Sequence, residues 1–579
     1  MKTAVLLKYL QSGLPLISTL KEYRLAWLSK DAIAGLSACI VSIPSVIAYA
    51  ELVHLPPITG LYAALAAAVG YALFSSSRHV IAGPDAAIGL LAGSAILPLA
   101  LGDPARIVVL AAVLSILSGG VLLLAARLKL GIIADLLSRP VLIGYLNGAS
   151  LVLIATQLGK MFRIKTEGEE FFELVYVVIE RLPETHLPTF AFGVLLVGLL
   201  VGLARWMPRV PGALAVCAVA IAASFALDLG SYGVALVGQV PSGVPHLTIP
   251  KVHWADISAL APAAVAIAFL AFSDGILLAQ TFAEKNGYEV RPNRELVALG
   301  SANILAGVWQ GFPVSASQSR TSIVDSAGGK SQVAQLVVAL GLLLFLFFLT
   351  GLIALLPKVA LGAILIVTAI GMLEVASLGG LYKVDRVEFG IAMGVTMAIL
   401  IAGVVPGIIL GLLLSLISIL VEVSRPGDAV LRRRVSDGRF HDCRDDEAAE
   451  SVPGLLIYRL YAPLNFANAR HVVTRIRTLV DEADSPIRWL VIDAQAIHDM
   501  DVTAAQRFAE LHRELAEEGI DVKIADAPRP FLEELAKVGL SDEIGRNDFF
   551  VSVKKAVEAF EQAQVSRSQA GLKYAASPR

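Results

Sequence analysis

The sequence predicts a polytopic α-helical membrane domain followed by a small soluble α/β domain. Three observations carry that prediction. Of 579 residues, 56% are hydrophobic and only 17% are charged, where a soluble domain has about 25% charged; the mean hydropathy is +0.72. Half of all Asp, Glu, Lys and Arg residues lie in 424–579, about a quarter of the chain. Apolar runs of membrane-crossing length recur up to residue 423 and then stop. This composition excludes disorder, a collagen-like fibre, a coiled coil and a disulfide-stapled module. Cys39, Cys217 and Cys443 are far apart and form no CxxC pair, so no metal cluster, redox motif or cofactor is expected. A net charge of -2 gives no sign of nucleic acid.

Taken in order, residues 1–30 mix short apolar stretches with Lys2, Lys8, Lys21, Arg24 and Lys30. They lack a long apolar core with a cleavage site, and read as a cytoplasmic N-terminal arm. The membrane domain is expected over 31–423. A helix needs roughly 20 apolar residues to cross the hydrocarbon core. Fourteen runs qualify, near 32–53, 57–75, 85–101, 105–126, 140–158, 188–206, 211–228, 258–280, 295–311, 319–327, 332–356, 359–374, 388–403 and 406–423. Loops on one side carry Arg78, Arg127, Lys129, Arg139, Arg205, Arg209 and Lys285 among others, and the arm shares that side. The excess of Lys and Arg makes it the inner side, with both termini cytoplasmic. The sharp cut comes at Val423-Ser424-Arg425-Pro426-Gly427. A linker is expected over 424–452, an α/β domain over 453–563 and a flexible tail over 564–579.

Fourteen spans divide into seven and seven, roughly 31–228 and 257–423. An odd number per half forces the halves into opposite orientations, the arithmetic of an inverted repeat. The third span starts at Gly83-Pro84-Asp85 and the tenth follows Gly311-Phe312-Pro313. Both are short, and each is third in its half. Paired interrupted spans point to a binding site at the membrane midplane. A helix start there offers unpaired N–H groups and the positive dipole end, which favour an anion.

Several stretches resemble the sulfate permease (SulP) family, whose animal members are the solute carrier 26 anion transporters. They are IPSVIAYA at Ile43–Ala50, LPPITGLYAA at Leu55–Ala64, SRHVIAGP at Ser77–Pro84, LSRPVLIGYLNG at Leu137–Gly148, EKNGY at Glu284–Tyr288, NRELVALG at Asn293–Gly300 and FPVSASQSRT at Phe312–Thr321. The resemblance implies a UraA-like arrangement of a core and a gate, a cytoplasmic STAS domain behind it, and no enzymatic activity. It also implies a multi-pass protein of the plasma membrane, commonly a homodimer, moving sulfate, bicarbonate, chloride, oxalate or a dicarboxylate. Coupling to H⁺ or Na⁺ by elevator-type movement is expected. A dicarboxylate transporter and an uncoupled channel or exchanger are the alternatives.

Candidate site residues follow. Arg320 after Ser319 matches the family's Ser-Arg pair at the central anion site, although an Arg near a helix end can also snorkel to headgroups. Ser315, Ser317, Ser319 and Thr321 are hydroxyl donors suited to an oxyanion, or bond back to their own helix. Asp274 interrupts the apolar run 263–278. A carboxylate at that depth is a functional residue by default, and the resemblance implies a coupling-ion role; a salt bridge to Arg320 is the other reading. Asp85 departs from the aromatic residue that animal members have after Gly-Pro. It can cap its own helix or accept a proton when the anion arrives, and if ionised it repels a divalent anion. Gly83 and Ala86 flank the same helix start. Ser45 replaces a glutamine frequent in the family, and Tyr49 either lines the site or packs in the bundle. Glu51 and His54 read as interfacial groups.

In the α/β domain, Leu455–Leu460, Trp489–Asp493 and Val522–Ala525 read as strands, with helical patterns near 468–483, 503–518, 529–539 and 549–562. Met500-Asp501-Val502-Thr503-Ala504 stands where STAS domains carry an Asp-Ser-Ser-Gly type phosphorylation loop. One serine is Val502 and the glycine is Ala504, so Thr503 is expected as a helix N-cap or first-turn residue. A protein-interaction role for this domain is expected.

Overall fold

In hydrocarbon every backbone N–H and C=O must be satisfied within the protein, which leaves helices as the economical way across. The computed structural model describes residues 15–16, 23–131, 138–164, 171–207, 210–238, 241–251, 253–434, 439–442 and 449–575. Most of the N-terminal arm and Cys443 lie outside them. Two compact units divide the chain, Met1–Ser415 and Leu416–Arg579.

The first unit runs through α1 (Leu25–Leu52), α2 (Pro57–Phe74), β1 (Ala82–Gly83), α3 (Ala86–Ala100), α4 (Pro104–Arg127), α5 (Arg139–Phe162), α6 (Phe171–Glu180), α7 (Leu187–Trp206) and α8 (Gly212–Leu227). It continues with α9 (Trp254–Asn286), α10 (Pro292–Val308), β2 (Ser315–Ala316), α11 (Gln318–Ser326), α12 (Val333–Phe348), α13 (Thr350–Ile353), α14 (Lys358–Met372), α15 (Val375–Val384), α16 (Arg386–Ala402) and the first half of α17 (Val404–Ser424), which crosses the boundary between the units. Proline sits in the first turn of α2, α4, α5, α7 and α10, where its missing N–H is no loss and its fixed φ suits the helix.

Each of the fourteen expected stretches is helical. Among the described residues, eight helical stretches are long and apolar enough to cross a membrane: α1, α2, α4, α5, α7, α9, Lys358–Val384 and α17. Three shorter ones, α3, α8 and α12, are also apolar. Sequence also left out two half-exposed helices, α6 and α15, which lie between the expected spans.

Packing sorts the helices into two bodies. Helices α1–α4 pack on α9–α12, and α5 packs with α7, α14 and α16. We refer to these as core and gate. Small residues allow the closest approaches: a Cβ on Gly119 of α4 would lie 2.7 Å from the Gly300 carbonyl oxygen of α10, and one on Gly144 of α5 would lie 2.3 Å from that of Ala392 of α16. Backbones approach this closely only where side chains are missing or small.

Between α2 and α3, and between α10 and α11, the chain leaves helix at membrane depth. The two breaks solve each other. Strand β1 pairs antiparallel with β2, Ala82 opposite Ala316 and Gly83 opposite Ser315. The remaining backbone groups are taken up by neighbours. Ser317 N–H donates to the Ile81 carbonyl at 2.9 Å, and Ile81 N–H donates to Thr321 Oγ1 at 3.0 Å. The Gln332 amide donates to the Ser77 and Val80 carbonyls at 2.9 and 3.0 Å, and that of Gln335 to the Ala82 carbonyl at 3.1 Å. Fully buried Asn303 of α10 accepts from Val314 N–H and donates to the Val314 carbonyl, both at 2.9 Å.

Two buried acids fix the flanking loops. Glu295 of α10 accepts from Tyr71 Oη at 2.5 Å, Ser76 N–H at 2.8 Å and Ser77 N–H at 3.1 Å. Asp31 of α1 accepts from Lys330 N–H at 2.6 Å and Ser331 Oγ at 2.7 Å.

In the second unit, β3 (Asp428–Arg434) pairs antiparallel with β4 (Phe440–Asp442), β5 (Ala449–Glu450) and β6 (Leu455–Leu460). Then β6, β7 (Trp489–Asp493), β8 (Asp521–Ala525) and β9 (Phe549–Phe550) run parallel. Leu456, Tyr458, Leu460, Leu490 and Ile492 face one apolar layer, with residues of α18 (Ala469–Asp481), α19 (Val502–Glu517), α20 (Arg529–Lys537) and α21 (Leu540–Ile544). Leu455, Ile457 and Val491 face the other, with Val553, Val557 and Phe560 of α22 (Val553–Ala575). The period-2 alternation thus places a helix layer on each face of the parallel strands.

Two expectations differ here. The stretch 424–452, expected as a linker, holds β3, β4 and β5, and α22 extends through much of the expected tail. Strand β3 was hidden by Arg432, Arg433 and Arg434, which give it a linker's charge. Of the two roles expected for Thr503, N-cap or first-turn residue, the second is found: Asp501 caps α19, accepting from Ala504 N–H at 2.8 Å, and also from Phe466 N–H at 2.7 Å. Thr503 is exposed in the first turn.

Asn303→Ala should strip two buried backbone groups of their partner. Each such loss costs about 1–3 kcal/mol, so the detergent-solubilised variant should show a clearly lowered unfolding temperature. Wild-type stability would mean that the approach to β2 is held by other contacts.

Candidate functional site

The strand pair brings the starts of α3 and α11 face to face. Their termini are not equivalent. Asp85 is the N-cap of α3, and its Oδ1 accepts from Ala87 N–H at 3.0 Å. Buried Ala86 is the first residue of that helix. The α3 dipole end therefore already faces a resident carboxylate, held by the chain itself. Ser317, the N-cap of α11, makes no side-chain cap bond; its Oγ lies 3.4 Å from Ser319 Oγ.

Arg320, in the first turn of α11, is 3% exposed. Burial of that degree sets aside the snorkelling alternative. Its Nη2 donates to the Pro84 carbonyl at 2.8 Å, and Gly83 packs closely against it, since a Cβ there would lie 3.1 Å from Nη2. Its Nε is buried without a partner. A guanidinium has five N–H donors in a fixed fork, so much of this one's capacity is uncommitted.

Around it, α1 contributes Tyr49, which feels the charges of both Asp85 and Arg320 and lies within reach of Ser45. Helix α5, on the gate, contributes Tyr145, whose hydroxyl donates to the Ala87 carbonyl at 2.9 Å. Tyr145 feels the charges of Asp85 and Asp274 alike. Asp274 of α9 is accessible from solvent space although it lies mid-helix in an apolar run. It interacts with the Asp85 charge and so faces the site. Among the described residues no ion pair joins it to Arg320, so the salt-bridge alternative is not realised. Asp274, Asp85 and Arg320 form one electrostatic cluster with two carboxylates and one guanidinium.

The hydroxyls divide in two. Thr321 is fully buried and spends its Oγ1 on Ile81 N–H. Ser315 and Ser317 are buried beside the strand pair, the Ser315 hydroxyl lying 3.5 Å from the Ala271 carbonyl oxygen. Ser319 and Gln318 are accessible. Sequence reasoning missed Tyr145, Asn303, Gln332 and Gln335. An amide inside an apolar run was the available signal for the last three, since such a group must find partners in the membrane. Glu51, expected as an interfacial group, pairs through its Oε2 with Lys160 Nζ at 2.8 Å.

Comparison with known proteins agrees with this architecture. The sulfate permease family matches residues 28–395, and the STAS domain matches residues 448–556. A Mycobacterium tuberculosis protein described as a probable sulfate transporter is 38% identical over 547 residues, covering 94% of this chain and 98% of its own. The fold is that of the murine solute carrier 26 member A9 anion transporter, with a TM-score of 0.88 at 22% identity over 96% of this chain and 95% of that one. It is also similar to the transmembrane domain of a cyanobacterial bicarbonate transporter, with a TM-score of 0.59 at 20% identity over 68% of this chain and 98% of that one. The chain therefore belongs to the sulfate permease family of anion transporters, with a STAS domain following its membrane domain.

Proposed function

We propose that the protein is a secondary active transporter of a small oxyanion, sulfate or bicarbonate in type, coupled to H⁺ or Na⁺. The observation that carries this reading is Arg320. It is buried between two helix starts at membrane depth, with a donor left unpaired. An isolated buried cation is costly unless something pairs with it, and a small oxyanion would supply acceptors in its fork geometry. The free start of α11 and the accessible Ser319 add donors on the same side.

Asp274 is the coupling group in this reading. With Asp85 and Asp274 both ionised, the cluster carries one more negative charge than positive, which opposes an incoming anion. Binding H⁺ or Na⁺ at Asp274 removes that opposition, so cation and anion bind with positive coupling, and linkage makes the effect reciprocal. The division of the membrane unit into a core that carries the site and a gate supports an elevator-type movement. The charge bias of the loops supports cytoplasmic termini, so that α3 runs from the site toward the outside and α11 toward the inside. Asp85 favours a monovalent oxyanion of the bicarbonate kind over sulfate.

Arg320→Ala should weaken anion binding by roughly ten- to a hundredfold, as expected for a charge-assisted hydrogen bond worth about 1.5–3 kcal/mol. Arg320→Lys, which keeps the charge and loses the fork, should fall between. Unchanged uptake at limiting anion in proteoliposomes would remove Arg320 from the site. Asp85→Asn keeps a helix cap and deletes a charge. A unit charge several ångströms away contributes on the order of 1–2 kcal/mol at an effective dielectric of ~20. Sulfate should gain roughly tenfold in apparent affinity relative to bicarbonate; equal change for both would show that Asp85 only caps α3. Asp274→Asn mimics the protonated acid and cannot cycle. It should abolish gradient-driven accumulation while exchange of anions persists, and full concentrative uptake would place coupling elsewhere.

A further inference from the structure

A second polar region lies away from Arg320, at the end of the membrane unit toward which α3 runs. A cavity of about 960 Å³ is walled by α1, α3, α4, α5, α6 and α17, and Leu90 and Ser94 of α3 carry its lining toward the central site. A neighbouring cavity of about 600 Å³ is lined by His54, Thr156, Lys160, Arg163, Thr189 and Lys358, among others. Lys160, Thr156 and His54 line both cavities. The described lining of the smaller cavity carries three fixed cations, Lys160, Arg163 and Lys358, and no carboxylate. His54 adds no charge near neutral pH, because burial, and next the Lys160 charge, hold its imidazole below the ordinary range.

The single carboxylate paired here comes from the other body. Glu51 stands at the end of α1, in the core, and Lys160 on α5, in the gate. Their ion pair is largely shielded, with side chains 10% and 26% exposed. Beside it the Gln157 amide is buried, with its oxygen unpartnered. Three cations and a cavity large enough for a hydrated oxyanion make a receptor for small anions. Its principal cation is also the one that ties core to gate.

We propose that the cavity beside Lys160 is an anteroom that binds the transported class of oxyanion before it reaches Arg320, and that the anion competes with Glu51 for Lys160. Occupancy then loosens the core–gate ion pair at this end of the molecule. An anion that arrives thereby favours the movement that carries it. Cations converging on a low-dielectric cleft also raise the local anion concentration. The proposal rests on the reading of Arg320 as the transport site, and the test separates the two.

The full-length protein in proteoliposomes should be assayed with radiolabelled sulfate and, separately, bicarbonate supplied from one face at a time. Lys160→Gln and Lys358→Gln should raise the half-saturating concentration from the anteroom face by roughly tenfold and leave it unchanged from the other face. Glu51→Gln frees Lys160 and should lower the half-saturating concentration from that same face. A merely structural ion pair predicts that Lys160→Gln and Glu51→Gln shift transport in the same direction, from both faces, and that result overturns the proposal. Binding gives a second readout that does not need transport. Calorimetric titration of sulfate into the Arg320→Ala protein should retain a weak, salt-sensitive binding event that Lys160→Gln abolishes. Its absence, or its persistence without Lys160, overturns the anteroom whatever the fate of Arg320. Wild-type protein that moves neither anion, yet keeps the Lys160-dependent binding, would overturn the transport reading alone.

Discussion

The structure depends on one constraint, the need to satisfy peptide groups where the chain leaves helix inside the membrane. A ladder of two residue pairs between β1 and β2 is far too short to be stable in isolation. It persists because the Ser77, Val80, Ala82 and Val314 carbonyls and the Ile81 and Val314 N–H groups find side-chain partners in Gln332, Gln335, Asn303 and Thr321. Each of those side chains lies on a core helix packed for other reasons. Hence the core has to move as a body, if it moves: shifting α11 relative to α3 would expose backbone groups at several kcal/mol each.

The same constraint explains why an inverted repeat yields an asymmetric site. Two half-helix starts aimed at one point would concentrate positive potential there. Asp85 quenches one of them within its own helix, and Arg320 reinforces the other. The result is a directional site. An anion bound there, as proposed, would meet donors from the α11 side and a carboxylate from the α3 side, with Asp274 behind it. Such a polarity suits a ligand carrying both acceptor oxygens and an O–H donor. In the proposed reading it also makes the charge state of the acids part of the affinity, so coupling would require no separate device.

The spans, the two breaks and the charged intramembrane residues were legible in the sequence because each violates or satisfies a composition rule over a short window. Arg320, Asp274 and Asp85 stand out against apolar neighbours. What stayed hidden depends on direction or on distance along the chain. Thr321 and Ser319 are two residues apart, yet one faces the strand pair and the other faces open space. No spacing rule told which hydroxyl was spent on backbone. Glu51 and Lys160 are separated by 109 positions, so each alone read as a surface charge. Strand β3 escaped because it ends in three arginines, exposed or half-buried, which read as linker charge although the strand is paired with β4, β5 and β6.

Arg320 joins the structural and functional arguments, because its geometry lets it serve both. A lysine could supply the charge but would have to choose between the Pro84 carbonyl and a ligand. The guanidinium plane holds Pro84 with Nη2 and still presents donors along its other edge. The bond to Pro84 fixes the plane's orientation in advance, so an anion does not have to order a long flexible side chain, and that entropy cost is met during folding. Pro84 immediately precedes Asp85, so the proposed anion-binding guanidinium and the carboxylate beside it are positioned by the same few atoms. Any displacement of the α3 start that weakens the Asp85 cap also turns the Arg320 fork. If Arg320 binds the anion as proposed, the affinity and the geometry of the break are linked through a single hydrogen bond.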